Sequence, residues 1–214
     1  MKVFLSVGAT YSETQERFVK AFEAFLNQNE CQRLTVGRGN YDPRQPILQA
    51  RELIEASDAV VVLAFTRTLI RSAIDKPGSK DEKEIKDLRY PTVWNQLEAA
   101  MAFGLKRPLL VIVENGLTQE AMLKDRQEFR AVGTALDVSQ LQTDEFKGMF
   151  GIFKQIVASR SAEVKRSQSS PVDTWTVGEL LRSLRPEQIW KVAAAVAGIL
   201  SAIAVAAYWV AKHT

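Results

Sequence analysis

The chain has 214 residues, 46% of them hydrophobic, which is enough for one ordinary domain with a core plus an additional segment. Its net charge of +3 is unevenly placed: residues 1–159 carry 21 Lys+Arg against 21 Asp+Glu, and residues 160–214 carry 7 against 4. A neutral globular part without a basic stripe excludes the counterion-releasing surface that nucleic-acid binding needs, so no nucleic-acid partner is expected.

In chain order, Val3–Val7 is a short apolar strand ended by Gly8, too brief and too soon followed by acids to be a signal peptide. Thr14–Asn27 carries Phe18, Val19, Phe22, Phe25 and Leu26 at helical spacing. Gln32–Val36 is a second strand, and Gly37, Gly39, Asn40 and Pro43 make a loop. Pro46–Ala56 is a helix. Ala59–Phe65 (AVVVLAF) is a continuous apolar strand of the kind buried on both faces.

Arg67–Arg89, with its charged KPGSKDEKEIKDLR, interrupts this rhythm as either a solvated insertion or a mobile lid. Trp94–Phe103 is the next helix, and Leu109–Val113 (LLVIV) a further doubly buried strand. Phe146–Val157 has weaker helical spacing and closes the domain. Strands alternating with helices imply an α/β fold: a small doubly wound parallel sheet, flavodoxin- or Rossmann-like, of four to five strands, the first four in order 2-1-3-4.

The domain is expected over residues 1–158, followed by a Ser-rich polar linker over 159–175 and a short amphipathic helix over 176–186. A transmembrane anchor is expected over 190–212. Its centre, Val192–Ala211, has no charge across twenty residues and is flanked by Trp190 and Lys191 on one side and Tyr208, Trp209 and Lys212 on the other. Arg182, Arg185 and Lys191 outnumber Lys212, so the positive-inside rule expects a single-pass protein with its N-terminal domain in the cytoplasm and the lipid bilayer as a partner. The small residues Ala194, Gly198 and Ala202 recur every fourth position, which suits packing of anchors in a homo-oligomer.

Cys31 is the only cysteine and His213 the only histidine. Triad chemistry and His- or Cys-ligated metal are therefore excluded from the domain. No metal or cofactor is expected, and any catalysis falls to carboxylates, hydroxyls, amides and backbone groups.

In an open parallel sheet, ligands bind beyond the carboxyl ends of the strands. Those ends present Ser6, Gly8, Thr10 and Tyr11 after the first strand, Arg38 and Tyr41 after the second, Thr66 and Arg67 after the third, and Glu114 and Asn115 after the fourth. The helix carrying Trp94, Asn95 and Glu98 starts at the same edge, with Asn95 and Glu98 one turn apart on one face. Glu98 either complements the helix dipole or reaches into the cleft. Asp58 opens the third strand and is expected at the opposite edge.

The stretches VFLSVG, SDAVVVLAF and WNQLEAAMAFGLKRPLLVIVENG resemble the nucleoside 2-deoxyribosyltransferase-like group, which is related in fold to Toll/interleukin-receptor (TIR) domains. The resemblance covers about residues 2–115. Its pattern of a helix Glu leading to a Lys-Pro turn and strand falls on Glu98, Ala100, Ala102, Lys106, Arg107 and Pro108. It implies Glu98 as the nucleophile on an anomeric carbon, and Asn95, one turn away on the same face, is the catalytic candidate to position either a ribose hydroxyl or the Glu98 carboxylate. It implies a nucleotide or nucleoside ligand, with NAD among the candidates; the residues placed at that edge to hold it are Ser6, Gly8, Tyr11, Arg38, Tyr41 and Trp94. The sequence departs from the pattern at Ala100, where the group has glycine, and lacks the TIR loop with its usual cysteine. The anchor is foreign to nucleoside salvage and points to a signalling or defence role.

Overall fold

The computed structural model describes residues 1–36, 45–125 and 129–168, with side chains to residue 163 at the C-terminal end. The chain divides into two units, Met1–Ala162 and Glu163–Thr214, and the description below is of the first. Arg38, Tyr41, the amphipathic helix, the anchor and the end of the linker lie outside the described residues. Among the described residues no helix is long and apolar enough to cross a membrane.

Five parallel strands form one sheet in the order β2-β1-β3-β6-β7: β1 Lys2–Val7, β2 Gln32–Leu34, β3 Ala59–Ala64, β6 Leu109–Glu114 and β7 Arg130–Thr134. The first four stand in the order expected from right-handed crossovers. β3 is central and wholly buried, which is why its sequence is an unbroken apolar run.

Side chains alternate across the strands and so define two layers. Val3, Leu5, Val61, Leu63, Leu110 and Ile112 face α1 (Glu13–Gln28) and α4 (Asp144–Gln168), where Phe18, Phe22, Phe25, Phe146, Phe150 and Phe153 interlock. The rings of Phe25 and Phe150 meet edge to face at 4.9 Å. Phe4, Val60, Val62, Val111 and Val113 face α2 (Pro46–Glu55) and α3 (Val93–Gly104), which contribute Ala50, Ile54, Ala99 and Ala102.

The helices start where their caps dictate. Ser12 accepts the N–H of Gln15 at the start of α1, and Thr92 accepts that of Trp94 at 2.9 Å at the start of α3. Pro46 opens α2, where its missing N–H costs nothing. The last helix runs to Gln168, so the stretch from Ala158 begins as helix rather than as linker. Its Ala, Arg, Glu and Lys residues are good helix formers, and no Gly or Pro interrupts them before Pro171.

The interrupting segment is solvated, as one of its two readings expected, and it is regular. It is an antiparallel arm of two strands, β4 Thr68–Asp75 and β5 Lys83–Tyr90, paired only with each other. It leaves the carboxyl end of β3 and returns to the amino end of α3. Its base is tied by the N–H of Arg67 on the Tyr90 carbonyl and the N–H of Thr118 on the Arg89 carbonyl, each 2.8 Å.

Gly8 lies against the cap of α3. A Cβ built on it would fall 2.2 Å from Cγ2 of Thr92 and 3.6 Å from its Cβ. Gly8→Ala is therefore expected to destabilise the fold by about 1–3 kcal/mol in denaturant unfolding. Adding Thr92→Ser, which keeps the capping hydroxyl and removes the offending methyl, is expected to recover most of that loss. A double variant no more stable than Gly8→Ala would show that the contact is not the cause.

Candidate active site

Four elements converge at the carboxyl edge of the sheet: the ends of β1, β3 and β6 and the opening turns of α3. Glu98 is the sixth residue of α3 and only 7% exposed. It lies beyond the first turn, where a dipole effect has faded, and that first turn holds no acid. Dipole complementation therefore does not account for it.

Ser6 and Asn95 are buried beside it, Asn95 at 1% exposure. The Asn95 Nδ2 donates to Ser6 Oγ at 3.0 Å and, more weakly, to the Leu63 carbonyl at 3.4 Å. Burial pushes the Glu98 carboxyl up to about 7, and the hydrogen bond from Ser6 acts against that rise. A carboxyl that is half ionised near neutrality suits proton transfer or nucleophilic attack better than an ordinary one. The Oδ1 of Asn95 is buried without a hydrogen-bond partner.

A second group braces the same edge from the strand side. Gln15, buried in the first turn of α1, donates from Nε2 to the Thr66 carbonyl at 3.1 Å, and its Oε1 accepts the N–H of Tyr11 at 3.3 Å. The Glu114 carboxylate accepts the Thr66 N–H at 2.7 Å. Thr66 is thus held on both its backbone groups, and its Oγ1 is buried without a partner. Gln15 was not among the sequence candidates. Its signal was a polar residue three and four positions before Phe18 and Val19, on the stripe that α1 buries.

The remaining candidates divide. Gly8 is at the edge, but the space before its Cα is filled by Thr92, so its smallness serves the packing of β1 on α3. Tyr11 is 61% exposed on the loop after β1. Trp94 is 42% exposed and shares the outer face of α3 with the exposed Leu97, while Asn95 and Glu98 face inward. Asp58 is at the amino edge, where its Oδ2 accepts the N–H of Lys2 at 2.7 Å.

Among the described residues no cluster of His, Cys, Asp or Glu could hold a metal ion. Cys31 is buried and its thiol is pushed up mainly by that burial, so it offers no ready thiolate. An apolar groove of about 510 Å³ runs between Met149, Ile152 and Ile156 of α4 and Pro108 and Leu109 at the amino end of β6. It is at the opposite edge from Glu98. Arg130 is the only ionisable group among its described lining residues, so the groove holds no acid–base chemistry.

No family model matches the chain, and no curated protein does. Among solved structures, the chain is similar to the CMP N-glycosidase BcmB of Clostridium botulinum, with 10% identity over 66% of this chain and 98% of that one and a TM-score of 0.43. It is also similar to a 2-deoxyribosyltransferase from Bacillus psychrosaccharolyticus, with 13% identity, coverage of 69% and 95%, and a TM-score of 0.44. A conserved protein from Enterococcus faecalis V583 matches at 13% identity, with coverage of 72% and 97% and a TM-score of 0.37.

The raised carboxyl carries a stability consequence. The folded state holds the Glu98 proton up to about pH 7, and the unfolded chain releases it near 4.5. Stability is therefore lost as pH rises between those values, by about 3 kcal/mol in all. Glu98→Gln, which cannot ionise, is expected to be more stable than the parent at pH 8 and close to it at pH 4.5. Thermal unfolding across that range would show an advantage that grows with pH. An advantage independent of pH would mean that Glu98 does not titrate as described.

Proposed function

We propose that the domain cleaves the N-glycosidic bond of a nucleoside or nucleotide, with Glu98 as the nucleophile. The observation that supports this best is the buried carboxyl at the carboxyl edge of the sheet, raised to about 7 mainly by burial. The likeness of the sequence around Glu98 to the deoxyribosyltransferase-like group agrees with it.

In this reading the ionised Glu98 attacks C1′ from the face opposite the base. The C1′–N bond breaks through an oxocarbenium-like transition state, its electron pair leaves with the base, and the base takes a proton from solvent. The resulting glycosyl ester on Glu98 is opened by water in a hydrolase or by a second base in a transferase. Burial makes the carboxyl more basic than an exposed one and removes water that would otherwise solvate it. The ligand contacts assigned to Arg38, Tyr41, Tyr11 and Trp94 belong to this proposal, as does NAD as one candidate substrate.

The uncharged run over residues 192–211 supports the second part of the reading: a single-pass membrane protein with the domain in the cytoplasm, self-associating through its anchor. A hydrolase tethered in this way fits signalling or defence better than salvage.

The test is base release by the full-length chain in detergent, followed by chromatography with NAD, NADP, deoxynucleosides and nucleoside monophosphates. Release is expected with at least one class, falling by about a thousandfold or more in Glu98→Gln. Activity should rise with pH through the range near 7, where Glu98 ionises. Binding by calorimetry without release would overturn catalysis and leave a nucleotide sensor.

A further inference from the structure

We infer that the amino edge of the sheet is a face that rests on a bilayer surface carrying anionic phospholipid. The outward stripe of α4 takes the acyl region, and the cations around it take the headgroup phosphates. The inference goes beyond the proposed chemistry and does not rest on it.

Helix α4 carries two apolar stripes. Phe146, Phe150, Phe153 and Val157 are buried in the core. Met149, Ile152 and Ile156 form a second stripe at i, i+3 and i+7, with Ile152 61% and Ile156 53% exposed. Neither isoleucine belongs to the buried core, and a β-branched side chain lowers helix propensity. Neither packing nor helix formation therefore accounts for them.

The stripe borders the groove of about 510 Å³ described above. A second groove of about 630 Å³ shares Pro108, Leu109, Phe129 and Ile156 with it and reaches the exposed Phe103 at the end of α3. Among their described lining residues, the two grooves have four cations, Lys106, Arg107, Arg130 and Arg160, and no acid. Arg107 donates from Nη2 to the Glu55 carbonyl at 2.6 Å, a neutral partner, and its Nε is buried without a hydrogen-bond partner. Arg130 meets Asp125 at 3.8 Å in an exposed pair of the kind that salt screens.

Two requirements select the occupant: it is apolar where it meets the isoleucines and anionic where it meets the cations. A second copy related by a two-fold axis would set the same cations against one another. The next stretch of this chain, residues 164–190, carries 4 Lys+Arg against 3 Asp+Glu and offers no anionic excess. A bilayer with anionic headgroups supplies both properties in one surface. The chain also leaves the domain at this edge. Arg160 lines the second groove just before the domain ends at Ala162, and the uncharged run expected to enter the bilayer begins at Val192. Seated this way, the edge that carries Glu98 faces the aqueous side.

The experiment places a nitroxide on Ile156→Cys in the full-length chain, in nanodiscs of phosphatidylcholine with and without phosphatidylglycerol. It reads the label's access to oxygen and to a water-soluble nickel chelate. Cys31 is buried, which leaves the introduced thiol to take the label. In anionic discs nickel access is expected to fall about fivefold or more and oxygen access to rise. The same label on Ile74→Cys, out on the arm, is expected to stay in water. Lys106→Glu combined with Arg130→Glu is expected to return the Ile156 label to water, and so is raised salt with the native cations in place, a test independent of how the double variant folds. A label equally open to water in both kinds of disc overturns the inference. Shielding equal in both discs and indifferent to salt overturns the role of the cations. Shielding with spin–spin broadening, whatever the lipid, assigns the face to a second copy and overturns the inference as well. A chain that does not enter discs removes the anchor. The inference then holds if the chain sediments with phosphatidylglycerol vesicles and the double variant does not, and fails otherwise.

Discussion

The close seating of the first turns of α3 on the end of β1 is the contact on which the site depends. Strand alternation turns Phe4 and Ser6 to the same side, and Ala99 and Ala102 let the helix backbone come close to that side. At the edge, Gly8 gives way to Thr92, whose hydroxyl caps the helix. With the cap fixed, the next inward positions of the helix are Asn95 and Glu98, and both are forced below the surface. A carboxyl carried there has few solvent partners, and burial is the main cause of its raised pKa.

Much of this was legible in the sequence because it follows from periodicity and chirality. The apolar runs of β1, β3 and β6 and the helical stripes of α1 and α2 announce themselves. The right-handed crossover then fixes which end of each strand faces a helix start. That logic put Glu98 and Asn95 at the carboxyl edge of the sheet and Asp58 at the other, where it accepts the N–H of Lys2. Ser6 was visible as a hydroxyl in an apolar strand. Its pairing with Asn95 was not, because no local pattern encodes a contact across 89 residues.

The features that escaped are those whose stabilisation is not local. β4 and β5 mix Leu69, Ile70 and Ile74 with charged residues on both faces, since neither face of the arm meets a core, so neither helical nor strand alternation is clean. β7 is five residues long at the sheet edge, and its glycine lies under Asn115, whose Oδ1 would be 2.8 Å from an added Cβ. Its strand character comes from pairing with β6 rather than from propensity. Gly8 was a ligand-binding candidate by its place after the first strand. Only the structure shows that a neighbouring threonine occupies the room.

Two opposed influences set the acidity of Glu98, and their balance constrains the chemistry open to it. Burial alone would keep the carboxyl protonated in neutral solution, where it could donate a proton but not attack. A shell of several donors would hold it ionised, well solvated by the protein and weakly basic. Between these extremes, a buried carboxyl raised to about 7 changes its charge near neutral pH and is more basic than a surface glutamate. The unpaired oxygen of Asn95 belongs to the same balance. Asn95 donates to Ser6 and leaves the oxygen of its own amide unsatisfied, a loss the fold tolerates one turn from the buried carboxyl.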